Sequence, residues 1–316
     1  MKEDNRIDFL DYFRAISMLW IVGVWHLANY FNYTIENTIT SSFTLAALIG
    51  FMYISGYFLG KKKVSDLQSI VKFYIKRFKR IYPLFLISTT SIYVCCVLFN
   101  NSLITSFKQY FLTITGLAWL YPPMPTTIWF ISLLLFFYMI TPVINIYDKI
   151  KYKIIVSTTI FVVLFFVCSI VDADTRILMY FPVYCVGLLT SGLSFSDKIN
   201  IKLFSVTLLG YFVFLLISLF YLEHVIIDMI CGILLFVAFL QLCKLIKNKI
   251  IGNILKQISV GSMCAYLFHR PWYSVVSYFV GEFNLIIAVI SVAIIIGGSI
   301  LVQKMYDSIL NKICKN

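Results

Sequence analysis

The sequence predicts an all-α polytopic membrane protein, a bundle of about ten transmembrane helices with both termini in the cytoplasm. Of its 316 residues, 61% are hydrophobic and 13% are charged, whereas soluble domains average about a quarter charged residues. Apolar runs alternate with short polar loops from end to end, and no shift in composition marks a second domain. Residues 1–316 are therefore predicted to form a single integral membrane domain. The first apolar run is too long for a cleavable signal peptide.

Ten apolar segments, each near the roughly 20 residues that cross a bilayer, account for the predicted helices. The first carries charges in its opening turns, and the second precedes the most basic loop, 61–80. Pro83 falls in the first turn of the third, where proline is tolerated. A long connection that contains several prolines follows, and its residues 110–120 could dip into the bilayer. The predicted spans are about 10–30, 43–59, 81–99, 128–146, 154–171, 177–193, 203–222, 225–243, 258–280 and 285–302.

The basic residues set the predicted orientation. Lysines and arginines collect in alternate loops and at the termini, while only Lys108 and Arg176 fall in the loops between them. Loops rich in Lys and Arg stay in the cytoplasm, so a multi-pass protein of the cell membrane is predicted. This distribution also explains the net charge of +12 without a nucleic-acid partner.

Several chemistries are missing from the sequence. Eight cysteines lie mostly in apolar segments without ligand or redox spacing, so they are predicted to be buried thiols rather than disulfides or metal ligands. No phosphate-binding loop, serine-nucleophile elbow, zinc-protease helix or dinucleotide fingerprint is present. No metal is expected.

The first segment keeps three residues that a simple membrane anchor would not need. Asp11 and Arg14 are three residues apart, so they share a helix face and can pair. His26 follows about 18 Å further along the axis. Polar residues within membranes usually face a cavity or the interior of a bundle. His26 could act as a general base, since a neutral imidazole accepts protons near pH 7. Alternatively, it could form a hydrogen bond between helices.

Two further regions leave alternatives open. His269 and Arg270 lie within the ninth segment, where Arg270 either contacts substrate or pairs with an acid such as Asp228 or Glu223. Residues 65–80 form an amphipathic basic helix, with Ser65 as its predicted N-cap. That helix either rests on anionic lipid headgroups or holds phosphates of a soluble cofactor. Arg77 and Arg80 would make the phosphate contacts, because the planar guanidinium binds phosphate with two parallel hydrogen bonds.

Five short motifs in this order resemble the acyltransferase-3 family, integral membrane acyltransferases that mostly O-acetylate cell-surface polysaccharides and related glycans. Each motif is degenerate, but their order on a ten-segment chain is specific, and together they cover nearly the whole sequence. They are 10–14 (LDYFR) with His26, 51–59 with Ser55-Gly56, 73–83 with an R-x-x-R and a Tyr-Pro, 128–132 (IWFIS) with Tyr138 and Pro142, and 262–271 with Y-L-x-H.

One spacing departs from the family pattern. The family usually has ten residues between the arginine and the histidine of its first helix, and here Arg14 and His26 have eleven between them. On a regular helix the two side chains would then point about 120° apart. Either a local bulge restores their alignment, or the two act from different walls.

The resemblance implies roles for the polar residues. The implied donor is cytoplasmic acetyl-CoA, bound by Arg77 and Arg80 with help from 61–63. His26 would be the general base that takes the proton of an acceptor hydroxyl. Arg14, oriented by Asp11, would guide the donor or neutralise developing charge. Substrate contacts are expected from Ser55, Trp129, His269 and Arg270, and the candidate oxyanion donors are Ser55, Trp129 and Tyr138.

The resemblance also implies partners. The acceptor would be a glycan or glycolipid, and membrane lipids would surround the helices. Some family members carry a soluble esterase-like domain after the membrane part, which this sequence lacks after its tenth segment, so a separate polysaccharide-assembly protein is a further candidate partner. The alternative to an enzyme is a carrier or flippase for a glycolipid or sugar precursor, which would use the intramembrane charges but would not need the R-x-x-R helix.

Overall fold

The computed structural model describes residues 7–31, 35–62, 64–99, 106–122, 124–125, 127–220 and 225–313, and within these ranges the protein is all-helical, without a β-strand. A π-helical turn, Ile21–Trp25, and short 3₁₀ turns accompany the α-helices. The eleven α-helices are α1 Asp8–Trp20, α2 Thr38–Gly60, α3 Leu67–Phe99, α4 Phe107–Ile114, α5 Trp129–Asn145, α6 Ile150–Val171, α7 Arg176–Thr190, α8 Ile201–Phe220, α9 Val225–Cys243, α10 Lys249–Val280 and α11 Leu285–Ile313.

Six of these helices are long and apolar enough to cross a membrane, namely α2, α3, α6, α8, α9 and α11. The helices α5 and α7 are apolar but shorter. Each of the ten predicted segments coincides with a helix or a helical run of the described chain, although residues 221 and 222 lie outside it. The number of crossings, the single domain and the cytoplasmic termini stay predictions. The seven cysteines in the described ranges are buried free thiols, as predicted.

Two predictions around the basic helix were wrong. The amphipathic stretch and the third segment form one continuous helix, α3, so Pro83 lies in its interior rather than in a first turn. Ser65 is not the N-cap. Instead the Asp66 carboxylate accepts a hydrogen bond from the Ser69 amide at 2.7 Å, and the Ser69 hydroxyl accepts one from the Asp66 amide at 3.1 Å. This reciprocal capping lowers the pKa of Asp66, chiefly through the Ser69 amide.

The chain divides into two compact units, and unit 1 comprises Met1–Phe51 and Ser194–Asn316. Here α1 packs on α9 and α10, α8 packs on α9, and α10 packs on α11. A Cβ atom on Gly261 of α10 would lie 2.9 Å from the backbone nitrogen of Ile300, so the backbones of α10 and α11 are in close contact. The buried apolar cluster of this unit joins α1, α10 and α11, and contains Met18, Val22, Leu27, Ala265, Tyr273, Phe283, Ala288 and Ile295.

Unit 2 comprises Met52–Leu193, which holds the second part of α2 and helices α3 to α7. The backbones of α2 and α7 are in close contact in this unit. A Cβ atom on Gly56 would collide with the carbonyl oxygen of Tyr184, and one on Gly187 would collide with that of Tyr53. Small residues that let two helix backbones touch are typical of packing in membranes. Elsewhere in this unit the Asn145 amide donates to the Leu59 carbonyl at 3.0 Å.

Candidate active site

The first helix contains a local bulge between Arg14 and His26, which was one of the two arrangements predicted from their spacing. The His26 amide donates to the Ile21 carbonyl at 2.9 Å, five residues back, and Ile21–Trp25 form a π-helical turn. A π-bulge accommodates about one extra residue, which is about 100° of rotation. The angular offset between Arg14 and His26 therefore falls from about 120° to about 20°.

Both residues accordingly contact the same neighbour, α10. An Arg14 guanidinium nitrogen donates to the Ser262 hydroxyl at 3.2 Å, and His26 Nδ1 lies 2.8 Å from His269 Nε2. Ser262 and His269 are two turns apart on one face of α10. The alternative in which Arg14 and His26 act from different walls is wrong. Because contacts advance together along both helices, α1 and α10 run parallel.

A buried polar network surrounds Asp11. The Ser259 hydroxyl donates to an Asp11 carboxylate oxygen at 2.6 Å, and Arg14 lies 3.8 Å from the same oxygen. The Ser262 hydroxyl in turn donates to the Ser259 carbonyl at 2.8 Å. These partners offset the desolvation of a buried carboxylate. Arg14 keeps 32% of its side-chain surface accessible, so it is anchored on one side and open on the other.

The two histidines meet through one nitrogen atom of each ring. Their ring planes differ by 3°, and the 2.8 Å between His26 Nδ1 and His269 Nε2 is shorter than the separation of about 3.5 Å at which stacked rings touch. The rings are therefore not stacked face to face, and the contact is made through these two nitrogen atoms, with the ring centroids 4.8 Å apart. His269 is 0% exposed, while His26 remains partly exposed. His26 is thus the more exposed residue of the pair.

The hydroxyl of Tyr273 supports the bulge. It donates to the Val22 carbonyl at 3.2 Å, within the π-turn, where carbonyls are displaced from their regular α-helical partners. Arg270, predicted to contact substrate, is 6% exposed and lies over the Tyr30 ring at 5.9 Å. Tyr30 and Tyr273 also contact each other, with ring centroids 5.4 Å apart.

Sequence reasoning gave no role to Ser259, Ser262 or Tyr273. A signal for them was available, because Ser259, Ser262, Tyr266, His269 and Tyr273 follow each other at intervals of three and four residues. That spacing places polar groups along one face of a mostly apolar helix. What it does not reveal is which helix the face meets.

Unit 2 holds the residues predicted to bind the donor. Arg77 lies over the Phe73 ring at 6.0 Å, and its Nε is buried without a hydrogen-bond partner. Its electrostatic neighbours are Arg80 and the phenols of Tyr138 and Tyr184. No carboxylate in the described ranges forms an ion pair with Arg77 or Arg80. The pair thus carries unneutralised positive charge on α3.

The remaining predicted residues of unit 2 lie on α2, at the start of α5 and just after α2. Ser55 is half-buried next to Gly56 on α2. The Trp129 ring lies 4.5 Å from the Arg176 guanidinium, which is itself held by the carboxylate of Asp174. Lys61 lies over the Tyr57 ring at 4.5 Å, and residue 63 is outside the described chain. Asp11, Arg14, His26, His269 and Arg270 all belong to unit 1, whereas Ser55, Arg77, Arg80 and Trp129 belong to unit 2.

Comparison with known families decides the class of the protein. A family model described as an acyltransferase domain matches residues 7–304. The chain belongs to the acyltransferase-3 family. This match confirms the resemblance seen in the five motifs and, with the six apolar helices, makes the protein a membrane acyltransferase. Comparisons with curated proteins and with solved structures gave no significant match.

Proposed function

We propose that the protein is an O-acyltransferase of the cell membrane that transfers an acetyl group from cytoplasmic acetyl-CoA to a hydroxyl of a cell-surface polysaccharide or its lipid-linked precursor. The observation that carries the proposal is that Asp11, Arg14 and His26 of the first helix all contact one face of α10. A helix that served only as a membrane anchor or as packing would not need a π-bulge to bring the partly exposed His26 into line with the partly exposed Arg14.

The proposed reaction is attack of an acceptor hydroxyl on the thioester carbonyl. His26 takes the hydroxyl proton as the oxygen forms its bond to the carbonyl carbon. The carbon–sulfur bond then breaks, the thiolate leaves and accepts the proton from His26, and the products are an O-acetyl ester and free CoA. Arg14, held by Asp11 and Ser262, would stabilise negative charge that develops on the way.

The proposed donor site is built on Arg77 and Arg80. CoA carries a pyrophosphate and a further phosphate, and arginine binds such groups through paired, charge-assisted hydrogen bonds. The buried Arg77 Nε without a partner supports this proposal, because an unsatisfied buried donor costs about 1–3 kcal/mol that a bound phosphate oxygen would recover.

Transfer of labelled acetyl from acetyl-CoA to envelope glycans in inside-out vesicles tests the reaction. We expect wild type to transfer label and His26→Ala to lose at least about 100-fold of the rate, as removal of a general base does. His224→Ala, which alters a histidine without a proposed role, is the matched control. Transfer that survives in His26→Ala would show that the proposed base is wrong.

CoA binding without acceptor separates the enzyme from its alternative. A ligand that binds the folded state raises the melting temperature, so CoA should stabilise wild type and His26→Ala alike. The stabilisation should disappear in Arg77→Gln and persist in Lys76→Gln, which removes an exposed charge from the same helix. If CoA neither binds nor donates acetyl, the carrier or flippase becomes the better explanation of the intramembrane charges.

A further inference from the structure

We propose that His269 is a positioning residue that holds His26 in the tautomer with a free Nε2, so that this nitrogen is the atom that accepts the proton. The inference rests on the proposed function, which it deepens by naming the basic atom and the group that prepares it. The two histidines are 243 residues apart in the chain, so only the fold brings them together.

The tautomer of His269 follows from its backbone partner. His269 Nδ1 lies 3.1 Å from the carbonyl oxygen of Ala265, one turn earlier on α10. A carbonyl oxygen can only accept a hydrogen bond, so Nδ1 must carry the hydrogen. In a neutral imidazole the other nitrogen then has a lone pair and no hydrogen. His269 Nε2 is therefore an acceptor.

The tautomer of His26 follows from that of His269. Its Nδ1 lies 2.8 Å from His269 Nε2, and the two ring planes differ by 3°. One of two nitrogens at this distance must donate, and the donor is His26 Nδ1. His26 Nε2 is left with its lone pair. It points to the opposite side of the ring from His269, and His26 is the partly exposed member of the pair.

This arrangement suits a base that gains and returns a proton. When His26 Nε2 takes the hydroxyl proton, its Nδ1–H becomes a charge-assisted donor to a neutral acceptor that is already in place. Rotation of the His26 ring to offer Nδ1 instead would break its bond to His269, which is fully buried and bonded to the α10 backbone. The proposal gives fully buried His269 a role that acts through His26, in place of the substrate contact predicted from the sequence.

Nitrogen NMR of the wild-type protein in detergent micelles tests the tautomers independently of activity. The protein has three histidines, and His224→Gln and His269→Gln samples assign their signals. With ¹⁵N-labelled imidazoles at neutral pH, we expect His26 and His269 both to show a protonated Nδ1 and an unprotonated Nε2. A protonated Nε2 on neutral His26 would overturn the proposal.

Kinetics of two His269 variants test the positioning role. The amide oxygen of His269→Gln can accept the His26 Nδ1–H bond, whereas His269→Leu offers no acceptor. We expect His269→Leu to lower kcat by about 10²–10⁴-fold, the range contributed by a general base, with the KM for acetyl-CoA unchanged. His269→Gln should keep kcat within about tenfold of wild type.

The outcomes separate this inference from the proposed function. Equal activity of His269→Leu and wild type, or equal loss in the Gln and Leu variants when CoA still stabilises both, would overturn the positioning role. If the Leu variant does not fold, the comparison of Gln with wild type and the NMR of wild type still decide. Absence of acetyl transfer in wild type would overturn the proposed function, while the NMR result would still test the two tautomers.

Discussion

The hydroxyl of Tyr273 offers a direct test of the bulge in the first helix. Tyr273→Phe removes one oxygen from a residue that is 0% exposed and leaves the buried Val22 carbonyl without its 3.2 Å donor. An unpaired buried acceptor costs about 1–3 kcal/mol. The phenyl ring keeps its contacts with Tyr30 and Phe283, so the loss should fall on the π-turn rather than on the surrounding core.

The expected effect follows from the geometry of the turn. A penalty of about 1–3 kcal/mol shifts an equilibrium between bulged and regular helix by about 5- to 150-fold. In the regular helix His26 rotates by about 100° and leaves His269. Because the rate follows the fraction of bulged helix, we expect Tyr273→Phe to lower the rate of acetyl transfer by up to this factor, with CoA-dependent thermal stabilisation intact.

The matched control is Tyr278→Phe, which makes the same chemical change on the same helix at a residue that is 62% exposed. It should leave transfer and melting temperature unchanged. Wild-type transfer in Tyr273→Phe would refute the reasoning, since the bulge would then persist without its cap or would not matter for the position of His26.

Three further outcomes are expected. Gly56→Ala places a methyl group against the α7 backbone and should destabilise the protein by at least about 1–3 kcal/mol, which a lower melting temperature would show. The control is Gly192→Ala, where the new atom has nothing within 4 Å, and it should leave the melting temperature unchanged. Ser259→Ala removes the 2.6 Å bond to buried Asp11 and should cost about 1.5–3 kcal/mol in thermal unfolding; no change would mean that Asp11 does not depend on this bond. Arg14→Gln should reduce transfer without weakening CoA stabilisation, and loss of both together would place Arg14 in donor binding instead.

The helices were predictable because each apolar run is long and bounded by polar residues. Their starts were not. Residues 249–257 were assigned to a loop from their polar side chains, and residues 67–80 to a helix separate from the third segment, yet both are continuous with the helices that follow. Asn248 caps α10 by accepting from the amides of Ile250 and Ile251. Pro83 does not end α3, since within an apolar environment the neighbouring backbone groups have no better partners than the helix.

Only part of the candidate site could be predicted from the sequence. Asp11, Arg14 and His26 could be chosen because charge and imidazole are costly within an apolar helix. Of their partners on α10, His269 was chosen as a substrate contact and Ser259 and Ser262 were not chosen at all. The pairing itself could not be predicted, because residues about 250 positions apart leave no local pattern that states which faces meet. The eleven-residue spacing between Arg14 and His26 was similarly consistent with either a bulge or two different walls. Only the π-helical backbone of Ile21–Trp25 decides between them.

The contact between α2 and α7 changes how the Ser55-Gly56 motif should be understood. Gly56 and Gly187 each face a backbone carbonyl of the opposite helix, so any side chain at either position would force the two helices apart. A motif that helps to recognise an enzyme family can thus record how closely two helices must approach rather than what the enzyme does. Variants collected at this motif would report on assembly, and a screen for altered acceptor choice would do better to begin around the exposed edges of Arg14 and His26.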